Sequence, residues 1–114
     1  MKLETARTFA LSLPETTEAP HFDMSSFRVK GKIFCTVPPD GKRLHVSVDP
    51  DEGRALVESG DPAYEQIVWG KQPKYDFIRV WLAHADRTEV YELLEAAWLR
   101  KAPTRVRQAY EASR

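Results

Sequence analysis

The sequence lacks the features that mark several common classes of protein. Cys35 is the only cysteine among 114 residues, so no disulfide can form within the chain and a reducing compartment is expected. No apolar run approaches the length of a membrane span. Lys2, Glu4 and Arg7 interrupt the stretch where a signal peptide would need an apolar core. These absences predict a cytoplasmic protein with no membrane partner.

The chain also lacks an excess of either charge. Lysine plus arginine and aspartate plus glutamate each total 17, so the whole molecule has no net attraction for nucleic acid or an anionic surface. Any such attraction must be local. A hydrophobic fraction of 42% with 30% charged residues is typical of a soluble globular protein, and the length predicts one domain over residues 1–114.

Motifs that carry catalysis or metal binding are missing as well. His21, His45 and His84 have no metal-ligand spacing, and nothing resembles a nucleophile elbow or a phosphate-binding glycine loop. Cys35 has the parity of a buried strand residue, which favours an inert thiol over a nucleophile. The sequence therefore predicts no catalytic residue, no cofactor and no enzyme.

One group of acidic residues is a candidate for a hard cation. Its members also lie where helix caps and a solvated helix face would place them, which is the interpretation we prefer. The group comprises Asp49, Asp51, Glu52, Glu58 and Asp61. We expect no metal there.

Helical periodicity and capping signals predict four helices. The first covers Leu3 to Leu13 and stops at Pro14; the second opens with Asp49 as its cap and ends at Gly60. The third opens at Asp86, with Glu89 at capping-box spacing, and a short fourth follows Pro103. The apolar stripe of the third helix is Val90, Leu93, Leu94, Ala97 and Trp98.

Alternating apolar and polar residues predict the strands. In "SSFRVKGKIFCTV" a three-residue loop, Lys30 to Lys32, would place Val29 opposite Ile33 and Phe27 opposite Cys35, whereas a two-residue loop would flip the second strand. "RLHVSV" is expected to complete a three-stranded meander, and "IVWG" and "FIRVWL" to pair across a polar loop, "KQPKYD". "ETTEAPHFD" is a connection or a short edge strand, and "DPAYEQ" starts a further helical turn.

This order of elements predicts an α+β fold with a single antiparallel sheet and helices packed on one face. The other face would be largely open to solvent. On the preferred register it carries Arg28, Lys30, Lys32, Phe34, Thr36, Arg43, His45 and Ser47. Phe34 would instead be buried if the register slipped by one residue, and burial is the interpretation we favour for this residue.

Charge is segregated along the chain although the total cancels. Residues 21–45 hold five bases and two acids, residues 46–66 one base and six acids, and residues 70–81 three bases and one acid. A local positive field of this kind can bind phosphates. Lysines and arginines on an open sheet also serve solubility and block edge-to-edge aggregation, and this interpretation stays open.

Four segments together resemble the MmcQ/YjbR family of small bacterial proteins. They are "SLPETTEAPHF", "FRVKGKIFCTV" followed by "VSVDPDE", "IRVWLA" and "LLEAAWLRKAP", which span most of the chain from Leu11 to Pro103. The resemblance implies a compact α+β domain similar to the frataxin-like CyaY fold. That fold has been likened to a double-winged DNA-binding domain.

What the resemblance implies for function is weak, mostly nonspecific DNA binding. The turn Lys30 to Lys32 and the loop Lys71 to Lys74 would be the wings, and Arg28, Arg43 or Arg79 could reach guanine edges. The nucleic-acid-binding residues expected are thus Arg28, Lys30, Lys32, Arg43, Lys71, Lys74 and Arg79. The iron chemistry of frataxin-type proteins is not expected, because the first helix contributes only Glu4 to an acidic ridge.

The alternative is a non-enzymatic module that binds a protein or a small molecule. Trp69, Trp81 and Trp98 could line such a site, although their spacings are typical of core packing. The chain would then be a monomer or a weak dimer.

Overall fold

The computed structural model describes the backbone of residues 1–69 and 72–114, and the side chains of residues 1–68 and 75–114. These residues form four helices and one six-stranded antiparallel sheet in the order β1-β2-β3-β4-β6-β5. The helices are α1 (Leu3–Ser12), α2 (Pro50–Glu58), α3 (Arg87–Lys101) and α4 (Thr104–Ala112). The strands are β1 (Thr16–His21), β2 (Met24–Val29), β3 (Lys32–Val37), β4 (Arg43–Ser47), β5 (Tyr64–Trp69) and β6 (Gln72–Trp81).

The predicted helix caps are confirmed. The Asp49 carboxylate accepts hydrogen bonds from the backbone N–H groups of Asp51 and Glu52, both at 3.2 Å. The Asp86 carboxylate accepts one from the N–H of Glu89 at 3.1 Å. Each cap satisfies backbone N–H donors that have no partner inside the helix. These two helices therefore begin at the residues that the local sequence predicted.

The helices cover one face of the sheet. Helix α3 packs on β3 and β4, α2 packs on β5 and β6, and α1 lies between α3 and β1. Trp98 is fully buried in α3, and its indole N–H donates to the carbonyl of Pro14 at 3.0 Å, which ties α3 to the end of α1. The sheet side of this core is formed by Phe27, Val29, Phe34, Cys35, Leu44, Val46, Ile78 and Val80.

Helix α2 approaches β6 closely at Gly53. A Cβ atom at this position would lie 2.5 Å from the carbonyl oxygen of Tyr75 and 2.8 Å from a methyl group of Val48. Contacts this short with backbone cannot be relieved by moving a flexible side chain. The absence of a side chain at Gly53 therefore sets the distance between α2 and the sheet.

The hairpin joining β2 to β3 differs from the prediction. Its turn has two residues, Lys30 and Gly31, both with positive φ (49° and 80°), and Val29 pairs with Lys32. The three-residue loop was therefore wrong. The pairing of Phe27 with Cys35 is nevertheless confirmed, because a β-bulge supplies the extra residue that the turn omits.

That bulge changes which side chains face the core. Arg28 pairs with Ile33 and Phe27 with Cys35, which leaves Phe34 unpaired between them. Phe34 and Cys35 are both buried in the core, which agrees with the alternative of a buried Phe34 and not with a place for it on the open face. Ile33 shares the face of its partner Arg28 rather than the core, which was mispredicted.

The chain between α2 and α3 contains more strand than expected. Strand β6 starts at Gln72, so most of the predicted polar loop "KQPKYD" belongs to a strand that pairs with β5. At Asp61 the chain forms a short non-helical turn instead of the expected turn of helix. Strand β5 then begins at Tyr64. Thr16–His21 is an edge strand, one of the two alternatives that its sequence allowed.

Candidate nucleic-acid interface

One row of side chains crosses the uncovered face of the sheet. Cross-strand partners share a face, and the register joins β2, β3, β4, β6 and β5 through consecutive pairs. The row contains Ser26, Thr36, His45, Arg79 and Glu65, in that order. We call the side of the sheet that carries this row the open face.

Two arginines flank His45 on the open face. Arg43 precedes it on β4 by two residues, and its guanidinium lies over the ring of its cross-strand partner Trp81, 5.4 Å from the centroid. Arg79 pairs directly with His45 across β4 and β6. Both arginines are half-buried. The structure thus brings together two predicted site residues from different strands.

Each of these arginines has a carboxylate close by. Arg43 Nε is 3.4 Å from Asp40 Oδ2, and Arg79 forms an ion pair with Glu65 across β6 and β5. Asp40 and Glu65 are both exposed. The cations of the open face are therefore partly compensated, which the charge counts along the chain could not show.

Arg28 belongs to the same face but is held by other groups. Its Nε donates to Ser26 Oγ at 2.9 Å, and its Nη2 donates to the carbonyl of Pro20 at 3.2 Å. Both partners are neutral, so they do not compensate the positive charge of Arg28. Arg28, Arg43 and Arg79 together place a guanidinium on β2, β4 and β6 of one face.

His45 is buried at the centre of the row, with 7% of its surface exposed. Burial, together with the positive charges of Arg79 and Arg43, lowers the pKa of His45 to about 4, and the opposing effect of the Asp40 carboxylate is smaller. His45 was expected on this face near Arg43, and its position there is confirmed. Its burial was not expected.

A cavity of about 240 Å³ opens on this face next to His45. Its lining combines apolar walls with the polar side chains of the central row, and none of its lining residues is acidic. They are His21, Met24, Ile33, Thr36, His45 and Phe77.

The lysines of the β2–β3 turn lie elsewhere. Lys32 pairs with Val29, whose side chain is in the core, so Lys32 belongs to the helix side of the sheet and not to the open face as predicted. Lys30 Nζ is 2.7 Å from Glu15 Oε1, and this contact lowers the pKa of Glu15. The charge of Arg105 on α4 also acts on Glu15. The turn is therefore a separate basic region at one end of the sheet.

The second predicted wing falls largely outside the described residues. Lys71 lies outside them entirely. Lys74 belongs to β6 through its backbone, pairing with Ile67, and its side chain lies outside the described set. The side chain of Trp69 also lies outside the described set.

The remaining candidates occupy structural positions. Cys35 is fully buried, which raises its pKa strongly. Trp98 is in the core, as its spacing suggested, and Trp81 lies on the open face beneath Arg43. Within residues 1–69 and 72–114, no three His, Cys, Asp or Glu side chains are grouped so that they could hold a metal ion. None of the described helices has the length and apolarity needed to cross a membrane.

Sequence reasoning missed the aromatic residues beside the cavity. Phe77 shares the parity of Arg79 and Trp81 on β6, and this alternation could have placed it on the open face. Phe22 occupies the turn between β1 and β2 with 90% of its surface exposed. An isolated phenylalanine in the polar stretch "PHFD" was the available signal. Ile33 could not be placed without knowing the bulge.

Comparison with known proteins agrees with this architecture. The crystal structure of the Deinococcus radiodurans protein DR2400, which carries a DUF419 domain, superposes with a TM-score of 0.77 at 20% sequence identity. The match covers 96% of this chain and 88% of that one, and at this identity it shows a shared fold. No curated protein matches the chain by sequence. The family described as YjbR matches residues 11–100. The chain therefore belongs to the YjbR family.

Proposed function

We propose that this protein binds DNA, weakly and with little sequence preference, through the arginines of the open face. The observation that carries the proposal is the placement of Arg28, Arg43 and Arg79 on three strands of one face, around the buried His45. Guanidinium groups present several N–H donors in a planar fork that suits phosphate oxygens. A rigid sheet would hold them at fixed separations.

The electrostatics at His45 support a positive open face. The coulombic effects of Arg79 and Arg43 on its pKa both exceed the opposing effect of Asp40. The arginines thus outweigh that carboxylate at the centre of the face. A phosphate approaching the same point would be attracted.

The ion pairs of Arg43 and Arg79 do not prevent such binding. Pairs between partly exposed groups contribute about 0–1 kcal/mol, so a phosphate can compete with Asp40 or Glu65 for the guanidinium. The side chains of Arg43 and Arg79 are 27% and 23% exposed, so part of each remains accessible to a ligand.

Weak binding with little specificity follows from the same features. The chain has equal numbers of acidic and basic residues, so long-range steering toward a polyanion is absent. Arg28 is committed to Ser26 and Pro20, which limits its reach toward base edges. Phosphate contacts would dominate, and these carry no sequence information.

The turn with Lys30 and Lys32 and the segment with Lys71 and Lys74 would act as auxiliary wings. Lys30 and Lys32 are both exposed at the end of the sheet, and Glu15, which contacts Lys30, is also within the electrostatic influence of Arg105. A duplex longer than the open face could reach them. We propose that they add phosphate contacts but do not form the main site.

The test is fluorescence anisotropy with random duplex DNA over a salt series. Neutralising about four phosphates predicts a slope near −3.6 for log affinity against log salt. The double variant Arg43→Gln/Arg79→Gln should reduce the magnitude of the slope by about 1.8. Lys30→Ser/Lys32→Ser should reduce it less.

The control variant is Arg87→Gln/Arg107→Gln, which removes two arginines from α3 and α4 on the helix side. Its slope should equal that of the unchanged protein. No detectable binding at low salt would overturn the proposal. Equal losses in the open-face and control variants would overturn the assignment of the site.

A further inference from the structure

We propose that the open-face cavity receives an unstacked nucleobase, so that this protein prefers single-stranded nucleic acid to a duplex. This inference rests on the proposed function for its electrostatic part. It is carried independently by the shape and chemistry of the cavity and by the aromatic residues around it.

The cavity has the composition of a base-binding site. Phe77 and His21 contribute rings, Met24 and Ile33 contribute apolar walls, and Thr36 contributes a hydroxyl beside His45. Flat heterocycles stack on such rings and walls, and hydroxyl and imidazole groups exchange hydrogen bonds with base edges. At about 240 Å³ the cavity is small, which favours a single ring system over a folded peptide segment.

Phe22 provides a further aromatic surface next to His21, which lines the cavity. Its ring lies edge-on to that of His21, with centroids 4.7 Å apart, and 90% of its surface is exposed. Its φ of 56° puts a phenylalanine in the left-handed region, where hairpin turns normally place glycine, asparagine or aspartate. Apart from the contact with His21, this exposed apolar side chain gains little from packing, and its backbone conformation does not favour the turn.

Charge complementarity selects nucleic acid over an apolar peptide. Arg43 and Arg79 lie beside His45, and Lys101 Nζ lies 5.9 Å from the centroid of Phe77. The cavity is therefore bordered by cations, while its own lining has no acid. A single strand presents bases and phosphates together, whereas a duplex keeps its bases stacked and out of reach.

The experiment compares three probes of equal phosphate number by anisotropy: an oligo-dT strand, an abasic deoxyribose-phosphate strand and a duplex. The oligo-dT strand should bind about tenfold more tightly than the abasic strand, because aromatic stacking adds to the phosphate contacts. The duplex should resemble the abasic strand. Phe77→Leu and Phe22→Ser should each remove most of the difference between oligo-dT and the abasic strand.

The two proposals fail in different ways. Equal affinity for oligo-dT and the abasic strand would overturn the base site and leave phosphate binding intact. Tightest binding of the duplex would likewise overturn the base site and leave phosphate binding intact. Binding of none of the three probes would overturn both proposals. Because Phe22 is exposed, Phe22→Ser keeps the test valid even if Phe77→Leu fails to fold.

Discussion

The two faces of the sheet are built from the same strands but filled in different ways. On the helix-covered side, alternate residues such as Phe27, Val46 and Ile78 are apolar and fully buried. On the open face polar residues alternate with these, among some aromatic and aliphatic ones, yet Ser26 and His45 are also almost completely buried. A surface kept only for solubility would leave such groups in water. The difference is consistent with the proposal that the open face binds a ligand.

The largest expected difference between the faces concerns two tryptophans. Trp98→Ala should lower the free energy of unfolding by about 3–5 kcal/mol, because it leaves a large cavity in the core and orphans the carbonyl of Pro14. Trp81→Ala, on the open face, should cost less than half as much. Urea unfolding of both variants measures the two losses of unfolding free energy. Equal losses would contradict the distinction between the two faces.

His45 should make the open face sensitive to acid. Its pKa is about 4 in the folded protein and about 6.5 when unfolded, so between these values the unfolded state binds more protons. Stability is therefore unaffected by His45 above about pH 6.5 and falls as the pH drops toward 4, by up to roughly 3 kcal/mol.

Comparison with His45→Gln isolates this effect, since carboxylates titrate in both proteins. The difference in unfolding free energy between the two proteins should change over that interval of pH. His84→Gln, at an exposed position, serves as the control. A difference independent of pH would contradict the account of His45.

Gly53 tests how closely the covering helices approach the sheet. In an ordinary helix, Gly→Ala stabilises by about 1 kcal/mol. Gly53→Ala should instead destabilise by about 1–3 kcal/mol, because its Cβ would meet the carbonyl of Tyr75. Glu58→Ala in the same helix is the control, with little change expected. Thermal melting gives the sign, and a stabilised Gly53→Ala variant would refute the close contact.

The smallest expected effect on stability belongs to the open-face arginines. Arg43→Gln and Arg79→Gln each remove a partly exposed ion pair and should cost at most about 1 kcal/mol. Urea unfolding should therefore show only a small loss of stability, although the same substitutions are expected to weaken DNA binding strongly. A loss above about 2 kcal/mol would assign these arginines a structural role instead.

Local signals were sufficient to predict much of the fold. The caps at Asp49 and Asp86 depend on residues within one helical turn, and both were located from the sequence. The two-residue turn was not, because Lys30 adopts a positive φ that a lysine rarely takes. The bulge at Phe34 arises between two strands and has no local signature in the sequence.

The site was less predictable than the fold, because most of its contacts join different strands and have no local signal in the sequence. Alternation along β2 and β4 placed Arg28, Arg43 and His45 on one face. The carboxylate partners of Arg43 and Arg79 are set by tertiary geometry, and the opposition of Arg79 to His45 requires the strand order β4-β6. Lys32 moved to the other face because the turn was one residue shorter than expected.

The most direct test of the central claim is an amide chemical-shift titration by NMR with oligo-dT at low salt. Binding at the open face predicts that the shifts concentrate on β3, β4 and β6, with Thr36, His45 and Arg79 among the most perturbed and the first two turns of α3 unaffected. Shifts confined to the Lys30–Lys32 turn and α4, or no shifts at all, would contradict it.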